Sequence, residues 1–259
     1  PIWDEIVISS KYGYDFSQVE QIGHAELPQH FDPEFTRNAL NNSLERLQTD
    51  HIDVYGMHNP KLPHIREDST FETFDKLIEE GKMKTGQVAL GPAIGWIQEG
   101  MEAMNRKNIS AVQTVYNILE QTPGNELLEK AEQSDVGILV RVPDASGILT
   151  GKVKRDTVIP ENDHRKDRKR EWIMSALDKV EQFRPIAKRN GLNITEFAIK
   201  FILSKNAIAS VLPTVISEEE IESFAAISDG NYINSSDMKE IDELYNSWPS
   251  YELKATIQN

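Results

Sequence analysis

The chain has 259 residues, 39% of them hydrophobic and 8% aromatic, with a formal net charge of −14 and no cysteine. Its length suits one large α/β domain and is the usual size of a (β/α)8 barrel. The charge argues against a general binder of nucleic acid or of an anionic membrane, which would repel it. The lack of cysteine excludes disulfides, thiolate metal sites and a catalytic thiol, and fits a cytoplasmic protein.

Short β-rich runs alternate with helical patterns from the start. The first strand is expected at Glu5–Ser10 and runs up to Lys11. Asp32-Pro33 opens a helix, aspartate suiting the N-cap and proline the first helical position, and Leu40, Leu44 and Leu47 give it an apolar stripe. "HIDVYGMH" (51–58) is the next strand. Ser69 and Glu72 read as a capping box for a helix carrying Phe71, Phe74, Leu77 and Ile78, with Gly81 as its C′ residue. "KTGQVAL" (84–90), "SAVQTVYN" (110–117) and "GILVRVP" (137–143) read as strands, separated by helices at Trp96–Asn105 and Asn125–Gln133. A polar stretch with the basic run "HRKDRKR" (164–170) follows and reads as a solvated loop or helix start, or as a contributor to phosphate binding. Helices at 171–189 and 195–204, the strand "AIASVLP" (207–213), a second capping box at Ser217 and Glu220, and a final helix with Met238, Ile241, Leu244 and Tyr245 complete the chain.

This strict alternation, without a break in composition, predicts a single α/β domain over 1–259 with a parallel sheet covered on both faces. Six strands are expected. A closed eight-stranded barrel needs two more, and nothing downstream supplies them. No apolar run is long enough for a membrane-spanning helix, and nothing in the composition sets an oligomeric state.

In a barrel, chemistry gathers at the C-terminal ends of the strands. Lys11, His58, Gln113 and Arg141 stand at or near four such ends. A lysine there either reaches solvent or lowers the pKa of a neighbouring acid. A histidine is either a satisfied core group or a donor to a substrate carbonyl. A glutamine on an apolar strand is either a bonded core amide or a reader of a ligand amide. Strand alternation sets Tyr12 on the face opposite Lys11, and Tyr55 opposite His58, so neither is expected to serve as their acid.

The stretches "VISSKYG", "SLERLQTDHIDVYGMHNP", "LIEEGKMKTGQVALG", "AVQTVYNILEQ", "GILVRVPDASGILTGK" and "SVLPTVISEEEIESFA" resemble, in order, the aldo-keto reductase family. The resemblance implies a (β/α)8 TIM barrel. It implies an oxidoreductase that reduces a small carbonyl substrate, aldehyde or ketone, with NADPH and no metal, NADH being possible here. It makes Lys11 and His58 members of a catalytic tetrad, whose aspartate and tyrosine are expected to precede Pro1. Gln113 matches the residue that binds the nicotinamide carboxamide, but its usual serine-asparagine companions are replaced by Ala89 and Leu90. Arg141 stands where a ring-stacking tyrosine is common; its planar guanidinium either stacks on a ring, reaches a phosphate or pairs with Asp144. Pro143, Ser146 and Gly147 belong to a loop similar to the one that covers the pyrophosphate, small residues allowing close approach. Thr214 and Ser217 are expected at the adenosine end, where Glu220 would repel a 2′-phosphate unless its capping box occupies it. These departures leave a second reading, a cofactor-binding sensor or subunit with little turnover.

Overall fold

The computed structural model describes residues 2–17, 27–91, 96–161, 163, 165 and 168–249. Its contacts group the chain into two compact units: one holds most of the chain up to Gln113 together with Lys130–Gly137, the other holds Thr114–Glu129 and the residues from Ile138 onward.

In the first unit a short 3-10 turn (Trp3–Glu5) leads to β1 (Ser9–Tyr12), α1 (Pro33–Leu47), β2 (Ile52–His58), α2 (Leu62–Arg66), α3 (Asp68–Glu79), β3 (Met83–Ala89), α4 (Ile97–Ala103) and β4 (Ile109–Val115), the last two residues of β4 falling in the second unit. β1, β2, β3 and β4 pair in that order, all parallel. The Asp32 carboxylate accepts from the Phe35 amide, so the expected cap and Pro33 start α1. Gly81, at φ 72°, ends α3 as its C′ residue. Ser69 does not cap α3. The helix begins two residues earlier, at Asp68 behind Glu67, and the Ser69 carbonyl accepts from Thr73 Oγ1 at 2.8 Å.

β1 begins later than its apolar pattern predicts. Ile6 and Val7 are 43% and 75% exposed and do not join the strand. The Ile8 amide instead donates to the Asp53 carboxylate at 2.7 Å, and Lys84 Nζ lies 2.6 Å from the same carboxylate. Desolvation pushes the Asp53 pKa up, but Lys84 and the Ile8 amide outweigh it and hold the group below the usual carboxylate range. A depressed folded-state pKa gives stability that is present above the unfolded value and lost as pH falls. Asp53→Asn is therefore expected to lower the melting temperature at neutral pH and to converge with the parent as pH falls below the usual carboxylate range. Melts across that range check it; a constant difference at every pH would contradict the assignment.

In the second unit α5 (Gly124–Ser134, its C-terminal end belonging to the first unit) is followed by β5 (Gly137–Arg141), α6 (Arg170–Arg189), α7 (Ile194–Leu203), β6 (Ile208–Leu212), α8 (Glu218–Ile227) and α9 (Ser235–Ser247). β5 and β6 pair in parallel. The core here is aromatic: Tyr116 stacks on Phe201 at 5.9 Å, and Trp248 meets Phe183 edge-on at 5.6 Å. The six expected strands are all present among the described residues.

Candidate active site

β1, β2, β3 and β4 hold the first cluster by register alone. Lys11 pairs with Gly56, and His58 lies two residues further along β2, so both point to the same face at adjacent strand ends. His58 pairs with Ala89, and Ala89 with Gln113, which lines up the histidine, an apolar position and a buried amide across three strands. Lys11 is exposed, and His58 is half-buried. Ala89 and Leu90 are buried and apolar beside Gln113, as their replacement of polar residues implies.

Beneath this row lies Gln87, fully buried, which the sequence reading passed over. Its Nε2 donates to Ser9 Oγ at 2.8 Å, to the Ser10 carbonyl at 2.9 Å and to the Val54 carbonyl at 3.2 Å. One amide thus reaches across β2 to tie down the residue before Lys11. Gly56 allows this, because β3 approaches β2 so closely that a Cβ there would lie 1.8 Å from the Gln87 carbonyl oxygen. A glutamine on an apolar strand was the same signal that singled out Gln113.

Loop residues also gather at His58. Tyr14 packs edge-on against the imidazole, with centroids 5.2 Å apart, and its hydroxyl accepts from Asn59 Nδ2 at 2.8 Å. Gln29 Nε2 donates to the His58 carbonyl at 3.0 Å. Lys11, Tyr14 and His58 border a cleft of 540 Å³ whose other wall is α1, with Phe35, Asn38 and Arg46.

Tyr12 and Tyr55 border that cleft too, so strand alternation does not by itself keep them from Lys11 and His58. Their hydroxyls are what remove them. Tyr12 OH bonds Thr36 Oγ1 at 2.9 Å, its ring stacks on Tyr55 at 5.4 Å, and burial pushes both phenol pKa values far up. Neither would release a proton readily.

The second cluster belongs to the other unit. Arg141 ends β5 in register with Leu212 of β6, and desolvation lowers its guanidinium pKa. The Asp144 carboxylate acts on Arg165, contributing to that guanidinium's raised pKa after the larger effect of the Asp163 hydrogen bond. After Arg141 the backbone turns sharply: Val142, Ala145, Ser146 and Gly147 have φ of 57°, 49°, 57° and 89°. Ala145, Ser146 and Gly147 are thus three successive residues at positive φ, and the Ala145 amide donates back to the Val142 carbonyl at 3.2 Å, closing the turn. Pro143 and Gly147 are buried, and a Cβ on Gly147 would sit 3.2 Å from Arg165 Nη1.

The basic run is not a purely solvated loop. The Arg165 side chain is 32% exposed and that of Arg168 only 12%; His164, Lys166 and Asp167 lie outside the described residues. Further along, Thr214 and Ser217 are exposed. Ser217 Oγ accepts from the Glu220 amide at 3.3 Å, while Glu220 Oε2 accepts from the Ile216 amide at 2.9 Å. The carboxylate that would face a 2′-phosphate is thus occupied by the helix cap, one residue earlier than a standard box, and Lys152 Nζ lies 3.5 Å away. Among the described residues no cluster of histidine and acidic side chains could hold a metal ion, and no helix is long and apolar enough to cross a membrane.

The sequence profile of the "Aldo/keto reductase family" matches residues 2–246. The chain belongs to that family. Like other aldo/keto reductases it is an oxidoreductase whose chemistry is carbonyl reduction with a nicotinamide cofactor. It is 28% identical over 244 residues to the NADH-specific methylglyoxal reductase of Escherichia coli strain K12, covering 90% of this chain and 72% of that one. It is 26% identical over 253 residues to the aldo-keto reductase YhdN of Bacillus subtilis strain 168, covering 93% and 70%. Among solved structures it is similar to a glycerol dehydrogenase from Gluconobacter oxydans, with a TM-score of 0.78, 20% identity, and 92% and 71% of the two chains covered. The holo form of an aldo-keto reductase from Bacillus halodurans aligns with a TM-score of 0.74, 21% identity, and 97% and 77% covered. These likenesses show the fold, a (β/α)8 barrel architecture to which this reductase contributes six parallel strands.

Proposed function

We propose that this aldo/keto reductase reduces small aldehydes or ketones in the cytoplasm, acting through one barrel domain with Lys11 and His58 as its reacting-end side chains. The observation that carries the reading is their shared face at adjacent strand ends, in line with Gln113. His58 would donate a hydrogen bond to the substrate carbonyl and fix its orientation. Lys11 would place a positive field beside the group that protonates the developing alkoxide, lowering that group's pKa. A bound dihydronicotinamide would supply the hydride. Gln113 would hold its carboxamide, and Arg141 would reach a phosphate or stack on a ring. Pro143, Ser146 and Gly147 would cover the pyrophosphate, the small residues Ser146 and Gly147 allowing close approach. Thr214 and Ser217 would meet the adenosine ribose.

The ribose end decides between cofactors. Exposed hydroxyls and a capped carboxylate supply little to prefer a 2′-phosphate. The dissociation constants of NADH and NADPH are therefore expected to lie within about a hundredfold of each other. Fluorescence titration with each decides this, and a larger preference for NADPH would contradict the reading. The activity itself is tested by following NADH and NADPH oxidation against an aldehyde panel that includes methylglyoxal, the substrate named for the Escherichia coli relative. Absence of turnover with both cofactors would leave the cofactor-binding, low-turnover reading in its place, which the apolar Ala89 and Leu90 favour.

A further inference from the structure

Arg168 and Glu120 lie 48 residues apart in sequence and form the most buried arginine–carboxylate pair among the described residues, their side chains 12% and 2% exposed. Burying such a pair carries a large desolvation cost, which geometry and further hydrogen bonds must offset. They do here. Arg168 Nη1 donates to Glu120 Oε1 at 2.8 Å, and Nη2 reaches Oε2 at 3.4 Å. Arg168 Nε donates to Ser146 Oγ at 3.1 Å, and the guanidinium lies over the Trp172 ring at 4.2 Å.

The other half of the network is Asn117, which is fully buried. Its Nδ2 donates to Glu120 Oε2 at 2.9 Å and to the Val142 carbonyl at 3.0 Å, while its Oδ1 accepts from the amides of Leu119 and Glu120. Val142 and Ser146 are the two ends of the strained turn, both left-handed without being glycine. A β-branched residue at positive φ is a clear outlier, and such strain persists only where the surroundings over-determine it. Asn117 grips one end of the turn and Arg168 the other, and Glu120 joins the two grips.

We propose that Glu120, Asn117 and Arg168 are positioning residues. They hold Val142, Ala145, Ser146 and Gly147 at positive φ so that the turn is shaped for the cofactor's pyrophosphate before the cofactor arrives. The assignment deepens the loop's proposed role and rests on it. It also gives Arg168 of the basic run a structural reason: it touches the loop's side chain, not the phosphate.

Arg168→Met, Glu120→Gln, the double variant and Arg168→Lys test it by two readouts, hydrogen exchange of the 144–150 amides without cofactor and the dissociation constants of NADH and NADPH. Arg168→Met is expected to speed exchange in that segment and to weaken cofactor binding about tenfold. The double variant should weaken binding little more than either single one, because both remove the same joint. Lysine keeps the charge but loses the fork, so it should restore less than half of the binding energy. Phe183→Leu, a core change elsewhere in this unit, lowers the melting temperature but should leave both readouts in place at temperatures well below it. Unchanged exchange and unchanged affinity in Arg168→Met overturn the proposal. So does an equal loss of affinity in Phe183→Leu, which would make the effect one of general stability. Gly147→Val separates the two layers: if it abolishes binding while Arg168→Met does not, only the positioning role falls; if Gly147→Val is also silent, the pyrophosphate reading of the loop falls with it.

Discussion

Lys11→Met is expected to lower kcat by about 10²–10⁴-fold while changing the cofactor dissociation constant only a few fold. The split follows from geometry. Lys11 stands on β1 in register with Gly56, two residues before His58, in the unit that holds Gln113, and its ammonium acts on charge that develops during proton transfer. An interaction made chiefly in the transition state lowers kcat without loosening ground-state binding. The pH profile carries a second signature. A cation beside an acid lowers its pKa, so removing the cation raises it. The basic limb of kcat should therefore move to higher pH as the plateau falls. Methionine keeps the length of the lysine stem, so packing along β1 changes little. Steady-state kinetics across pH with saturating cofactor make the measurement. A variant with parental kcat, or one whose loss is matched by an equal loss of cofactor affinity, would remove Lys11 from the reacting end.

The parts of this site read directly from the sequence are those fixed by local rules. The strand ends carrying Lys11, His58, Gln113 and Arg141 were placed by short apolar runs, and the Asp32 and Ser217 caps by chemistry confined to four residues. Reading was poorer where a tertiary partner outbids a local one. Ile6 and Val7 look like strand, but the Ile8 amide is drawn to Asp53, 45 residues away, and β1 starts beyond it. Ser69 looks like a cap, but the short helix Leu62–Arg66 brings the chain round so that α3 begins before it. The run "HRKDRKR" looks solvated because charge runs usually are, and only the fold brings Glu120 to Arg168. Gln87 and Gly56 were legible as residue types, a polar group on an apolar strand and a glycine within one. Their pairing was not, because which residues of two strands meet is set by the fold and not by the pattern of either strand.

That pairing gives the largest expected effect on stability. Gly56→Ala should destabilise the fold by about 3 kcal/mol or more, at or beyond the upper end of what overpacking usually costs. The new Cβ would lie 1.8 Å from the Gln87 carbonyl oxygen and 2.6 Å from its carbonyl carbon, and backbone in a paired strand cannot swing aside as a side-chain tip can. The strands would have to part, and parting them breaks the Gln87 bonds to Ser9, Ser10 and Val54. Gly81→Ala is the natural comparison. Gly81 has no atom within 4 Å of where its Cβ would stand, so only its left-handed φ resists substitution, at about 1–2 kcal/mol. Urea denaturation of the two variants ranks a steric clash against a conformational penalty, and the soluble fraction on expression ranks them if Gly56→Ala cannot be purified. Should Gly56→Ala prove as stable as Gly81→Ala, the close approach of β2 and β3 would be wrong. The consequence reaches the chemistry, because Lys11 is in register with Gly56 and His58 follows it on the same strand. Any Gly56→Ala protein that does fold should have lost turnover out of proportion to its lost stability, as the Gln87 amide that ties down the residue before Lys11 is drawn away from β1.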